Sequence, residues 1–114
     1  KDYEGNIREY KRLKNLALQI DTEAIEVDQN DYELMELFCM FDEMLALYNL
    51  YTDRGIAVQD FLRRKAAGEK PANSEYKDVT TKQKSTAAAF SRSYNDLSVA
   101  YADYIQRRSE EAQI

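Results

Sequence analysis

Apolar residues recur at steps of three and four along most of the chain, and this spacing predicts long amphipathic helices. The first apolar stripe consists of Ile7, Tyr10, Leu13, Leu16, Ala17, Ile20, Ala24 and Val27. Asn6 and Glu9 form a capping-box pattern at its start, and the polar run 28–31 follows it. The first helix is therefore predicted over about residues 6–28, with residues 1–6 as a polar tether.

The second helix is predicted over about residues 31–67. Asn30 and Glu33 repeat the capping pattern before it, while Gly68 and Pro71 are residues that end a helix. Its predicted core stripe consists of Leu34, Leu37, Phe38, Phe41, Met44, Leu45, Tyr48, Tyr51, Gly55, Val58 and Leu62. A kink or break near Gly55 is the alternative to one continuous helix.

The third helix is predicted over about residues 74–112, with Ser74 as its cap. Its stripe consists of Tyr76, Val79, Ala87, Phe90, Tyr94, Leu97, Tyr101, Tyr104 and Ile105, with Ile114 as a further member. Short loops between long helices make neighbouring helices antiparallel. We therefore predict an all-α fold, an antiparallel up-down three-helix bundle that forms a single domain.

Folding the chain about its two loops gives an approximate register, which places Ile7 near Tyr51 and Phe90. The same register places Leu13 close to Leu45, Tyr94 and Leu97. The first helix is shorter than the other two, so the bundle is predicted to be two-helical toward the second loop.

Composition agrees with few turns, because the 114 residues include only three glycines and one proline. The net charge is −5, which disfavours binding to nucleic acid. No apolar run is long enough for a transmembrane segment. The sequence opens with Lys1 and not with methionine. Lys1 therefore follows either a cleaved secretion signal or an arbitrary boundary. If a secretion signal was cleaved, we expect a bacterial periplasmic or envelope location.

Charge is segregated along the chain. Residues 15–53 contain ten acidic residues and no basic residue, and basic residues cluster at 8–14 and 63–84. The bundle is thus predicted to have an acidic end at the first loop and a basic end at the second. Arg107 and Arg108 lie near the acidic end in this register and are expected to offset Glu33 and Glu36.

Candidate chemistry is sparse. The chain lacks histidine, the commonest general base and metal ligand. Cys39 lies between apolar residues, with no basic residue near it in sequence, so a small buried hydrophobe is the simpler interpretation. The run 28–33 resembles a calcium loop but has Glu33 where glycine is required. We predict no enzyme activity, no metal and no cofactor.

The sharpest functional signal is an excess of apolar surface on the second helix, where fourteen of eighteen residues from Leu34 to Tyr51 are apolar. A second stripe beside the core stripe consists of Met35, Cys39, Leu47 and Leu50. Excess apolar surface is typical of an interface. We therefore expect a non-enzymatic interaction module that binds a protein partner or forms a homodimer through this stripe.

The alternative function is a small-ligand carrier. The chain has nine tyrosines and no tryptophan, and five tyrosines fall on core-facing or flanking positions. Their rings could line an interhelical cavity while the hydroxyls reach its edge. The predicted lining consists of Tyr48, Tyr51, Tyr94, Tyr101 and Tyr104.

Overall fold

The computed structural model describes residues 2–19 and 29–112, and these residues form three helices and no strand. Helix α1 spans Tyr3–Gln19, α2 spans Gln29–Ala66 and α3 spans Asn73–Ala112. The predicted all-α three-helix bundle is confirmed. The predicted end of the first helix, over residues 20–28, lies outside the described residues.

The first helix begins earlier than predicted. Residues 3–6 are helical and do not form a tether, because Asp2 caps the helix in place of Asn6. The backbone N–H of Gly5 donates a 2.8 Å hydrogen bond to Asp2 Oδ1, which satisfies one of the unpaired donors at the helix start.

Helix α2 continues through Gly55 without a break. It ends at Ala66, and Gly68 follows with a φ of 89°, in the left-handed region that glycine tolerates. The Gly68 N–H donates to the Lys65 carbonyl, and the Glu69 N–H donates to the Arg64 carbonyl, both at 3.1 Å. These two bonds form a Schellman motif, so the predicted role of Gly68 as a C-terminal cap is confirmed.

Side-chain contacts show that neighbouring helices run antiparallel with α2 in the middle. Glu4, near the start of α1, pairs with Arg54 of α2, while Lys11 approaches Glu43. At the acidic end of the hairpin Glu33 pairs with Arg107, as the register predicted. Toward the second loop, the described contacts beyond Arg54 join α2 to α3, including the Phe61–Tyr76 ring contact.

The core follows the predicted stripe of α2 only in part, since Leu37 of that stripe is buried. Ile7, Ala46 and Leu47 form a buried cluster, against which Tyr10, Leu50, Ala89 and Phe90 pack. The predicted proximity of Ile7 and Phe90 is thus confirmed. Phe38, Phe41 and Leu45 were predicted as core and are exposed. The reason is that α1 packs over the Leu47 side of α2, which leaves the other stripe open.

The molecule is long and thin, with extents of 68 × 28 × 18 Å. Its radius of gyration is 19.6 Å, whereas about 13 Å is expected for a compact chain of this length. The exposed area is 8242 Å², compared with roughly 6,500 Å² for a compact protein of this mass. The excess surface is a direct consequence of three long helices with a short shared core.

Candidate interaction surface

One side of α2 carries a row of exposed or half-buried apolar side chains. The row consists of Leu34, Phe38, Phe41, Leu45 and Tyr48, which alternate in steps of four and three. Phe38 is 66% exposed although it is a large apolar side chain. At 100° per residue, Phe38 points about 180° away from the buried Leu47. The row therefore lies opposite Leu47, and Leu45 at its edge borders Tyr3 and Tyr10 of α1.

Helix α3 carries a second row beside the first. This row consists of Phe90, Tyr94, Leu97, Tyr101 and Ile105, in steps of four, three, four and four. The two rows meet across the hairpin, because the rings of Tyr48 and Phe90 are 5.8 Å apart at an interplanar angle of 54°. The Phe90 and Tyr94 rings follow at 6.3 Å. We call these ten residues of the α2 and α3 rows together the open face.

The open face contains a groove at its acidic end. The groove has a volume of about 560 Å³. Its lining consists of Leu34, Leu37, Phe38, Phe41, Leu97, Ser98, Tyr101 and Tyr104. None of these side chains is charged, and only the serine and tyrosine hydroxyls are polar. The groove therefore suits apolar groups, whether from a protein or from a small molecule.

The four residues of the predicted interface stripe lie in different environments in the structure. Leu47 is 6% exposed and belongs to the core, so the hypothesis that it lies on an exposed patch is wrong. Leu50 is half-buried against the same cluster. Met35 is exposed and Cys39 is half-buried. The excess apolar surface exists, but it lies on the open face and not on this stripe.

The predicted tyrosine groove is assembled in part. Tyr101 and Tyr104 line the 560 Å³ groove. Tyr48 and Tyr94 flank Phe90 farther along the open face, and Tyr51 is exposed beyond them. Four of these five side chains are exposed, so they form a surface rather than the wall of a closed cavity.

A polar cluster on Arg54 joins all three helices where α1 begins. Arg54 Nη2 lies 2.8 Å from Glu4 Oε1 of α1, and Nη1 donates to the hydroxyl of Thr86 on α3. The Thr86 hydroxyl donates in turn to the Lys82 carbonyl at 2.8 Å. Thr86 is only 2% exposed, so this bonding satisfies a buried polar group. The sequence analysis missed this cluster, because an arginine and a threonine thirty-two positions apart give no local signal.

Further ion pairs lie at the surface of the molecule, and one set of them surrounds Asp60. Asp60 accepts a 2.6 Å hydrogen bond from Arg63, and Arg64 Nε lies 3.2 Å from the other carboxylate oxygen. The bond from Arg63 and the nearby guanidinium charges lower the pKa of the Asp60 carboxyl.

Burial raises the pKa of the Tyr32 phenol, and the charge of Glu36 acts in the same direction.

Residues 2–19 and 29–112 contain no group of three or more candidate ligands that could hold a metal ion. The calcium-like run 28–33, which was predicted to bind no metal, lies partly outside this range. Within the same residues, no helix is both long enough and apolar enough to cross a membrane.

Comparison with protein-family models, with curated proteins and with solved structures gave no match to this chain.

Proposed function

We propose that this protein is a non-enzymatic interaction module that binds an α-helical protein partner through the open face. The observation that carries the proposal is the exposure of two adjacent apolar rows on the α2–α3 hairpin. Large exposed apolar patches on monomeric proteins usually measure about 300–600 Å² and often have a function. Five rings of the open face are each about half exposed or more, which corresponds to on the order of 500 Å² of apolar surface.

The spacing of the rows supports a helical partner. Apolar residues in alternating steps of four and three form the seam that another helix packs against in coiled coils and helix bundles. The aromatic content supports a protein partner as well, since tyrosine and phenylalanine are enriched at interfaces and charged residues are depleted from their centres.

The test is photo-crosslinking from the open face in an extract of the cells that make the protein. A photoreactive phenylalanine analogue replaces Phe38, and in a matched control it replaces Val99, which is 63% exposed and lies outside both rows. We expect an adduct to a protein chain from position 38 and none from position 99. The adduct should disappear when Leu45→Glu is added, because a charge on the open face opposes apolar docking.

Equal adducts from both positions would show non-specific contact and would contradict the proposal. An absence of any interchain adduct from position 38 would contradict it as well. Circular dichroism of each variant establishes that the helices remain folded.

The second candidate function is a carrier of small apolar ligands, and the observation that favours it is the 560 Å³ groove beside Tyr101 and Tyr104. This volume lies within the range of about 300–1,000 Å³ that is usual for ligand pockets. Calorimetric titration with a fatty acid or an aromatic hydrocarbon tests it. Saturable binding that Leu97→Glu abolishes would support the carrier, and an absence of heat from both compound classes would contradict it.

A further inference from the structure

We propose that the helical partner of the open face is a second copy of this chain. The two α2–α3 hairpins pack face to face as a four-helix core, and each α1 lies on the outside of the dimer. This inference rests on the proposed function and names its partner. Three observations carry it: the match of the two rows, the charge along them and the area that they leave open.

The two rows are level with each other, so they form one repeating surface. Tyr48 lies opposite Phe90, and the groove brings Phe38 and Phe41 of α2 beside Leu97 and Tyr101 of α3. Each row rises in steps of four and three over a similar length. Two such hairpins present two seams each, which is the arrangement that a four-helix bundle closes.

The centre of the open face is uncharged, and charged residues lie at its edges, where Asp42 borders Leu45 and Glu33 pairs with Arg107. The ten residues that define it are apolar or tyrosine, and Ser98 is the other polar contributor to the groove. Partner choice between different helices is usually set by opposite charges beside the seam. A face with an uncharged centre matches itself, because a second copy can approach it without burying an unpaired charge or placing like charges together.

The area fits a stable dimer of standard size. The chain exposes 8242 Å², which is roughly 1,700 Å² more than a compact protein of this mass would expose. A standard interface removes about 800 Å² from each partner. The five exposed rings of the open face contribute on the order of 500 Å² of this, and Leu34, Leu45, Leu97 and Ile105 extend the patch toward the standard size.

Two-fold symmetry would cover both the groove and the most exposed ring of the open face with the second copy. In an isologous dimer the same patch on each copy contacts its equivalent. Phe38 is the most exposed ring of the open face, and it borders the groove that needs an apolar occupant. In a two-fold dimer the Phe38 ring of each copy enters the groove of the other as a knob enters a hole.

The experiment is sedimentation equilibrium of the purified chain over a dilution series, with two variants. For the wild type we expect a mass of twice 13.3 kDa that falls toward one chain only on dilution below about 10 µM. Phe38→Glu should sediment as a monomer at all concentrations. Val99→Glu adds the same charge at a site of similar exposure outside the open face, and we expect it to remain dimeric.

Each other outcome overturns the inference in a recognisable way. A dimer that persists in Phe38→Glu uses another surface. A wild-type monomer whose position 38 crosslinks to a different protein, as described above, overturns self-association and leaves the proposed function standing. A wild-type monomer without interchain adducts from position 38 overturns both, and an adduct within the chain would show that the protein's own residues cover the open face.

Discussion

At the scale of single residues, Thr86 shows how a polar side chain can be buried in so thin a molecule. Its hydroxyl accepts from Arg54 and donates to the Lys82 carbonyl, so both of its hydrogen-bonding roles are used inside the bundle. Arg54 also reaches Glu4, and a single guanidinium therefore holds the start of α1 against the hairpin. Such a cluster fixes the position of α1 relative to α2 and α3, and it also contributes to stability.

Thr86→Val keeps the shape of the side chain and removes its hydroxyl. We expect the free energy of unfolding to fall by about 1–2 kcal/mol, because Arg54 loses a partner at a nearly dry site. Urea denaturation measures this change. Thr80→Val is the matched control, since the Thr80 hydroxyl bonds only to carbonyls of its own helix, and its effect should be smaller than about 0.5 kcal/mol. Equal losses in the two variants would contradict the account of Arg54.

Asp60 gives a prediction about pH. Its pKa is lowered in the folded state by Arg63 and Arg64, so its stabilising effect is fully present above the ordinary carboxyl pKa. That effect is lost as the pH falls through the lower folded-state value. The stability difference between wild type and Asp60→Asn should therefore favour the wild type at neutral pH and disappear as the pH falls through the lowered folded-state pKa of Asp60. Urea midpoints over this range measure it, and a difference that grows on acidification would contradict the assignment.

At the scale of the elements, α1 is a short helix held by one main apolar anchor. Ile7 is buried in the cluster with Ala46 and Leu47, while Leu13 and Leu16 of the same helix are exposed. Ile7→Ala should cost about 2–4 kcal/mol if the site does not collapse. We expect faster amide exchange in α1 with protection kept in α2 and α3.

Leu16→Ala serves as the control for this change. Leu16 is exposed, so its truncation should leave amide exchange in α1 nearly unchanged. If both variants released α1 equally, the docking of α1 through Ile7 would be wrong.

Gly55 lies where α2 passes close to α3. A Cβ at this position would be 3.1 Å from the Nε2 atom of Gln83, the end of a flexible side chain that can move aside. Gly55→Ala should thus stabilise the protein by about 0.5–1 kcal/mol, because glycine is a poor helix former. Ala57→Gly in the same helix should have the opposite effect, and thermal denaturation measures both. A destabilising Gly55→Ala would mean that Gln83 is fixed.

The elements themselves could be predicted from the sequence, but the face of α2 that becomes buried could not. The spacing predicted three helices, and Gly68 predicted the end of α2 correctly. From Leu34 to Tyr51, however, apolar residues cover most of the circumference of α2. Periodicity cannot decide between the Leu47 side and the Phe38 side, because the choice depends on where α1 docks. The steps of four and three, shared by α2 and α3, were the signal that could have identified the open face.

At the scale of the whole molecule, the shape follows from one long hairpin with a short helix on one side. The extents of 68 × 28 × 18 Å leave little room for an interior, and the described core is correspondingly small. A protein of this shape retains apolar surface unless something covers it. The proposed dimer completes the core of the hairpin in the way that a third and a fourth helix complete a bundle.

Hydroxyl-radical footprinting of Phe38 and Phe61 tests the central claim most directly. The two rings have the same intrinsic reactivity, but Phe38 is 66% exposed and Phe61 is 2% exposed in one chain. In Leu45→Glu, which we expect to be monomeric, Phe38 should be oxidised many times faster than Phe61. In concentrated wild type, Phe38 should be protected. A Phe38 ring that is protected in both proteins would contradict the open face, and one that is equally reactive in both would contradict its burial by a second copy.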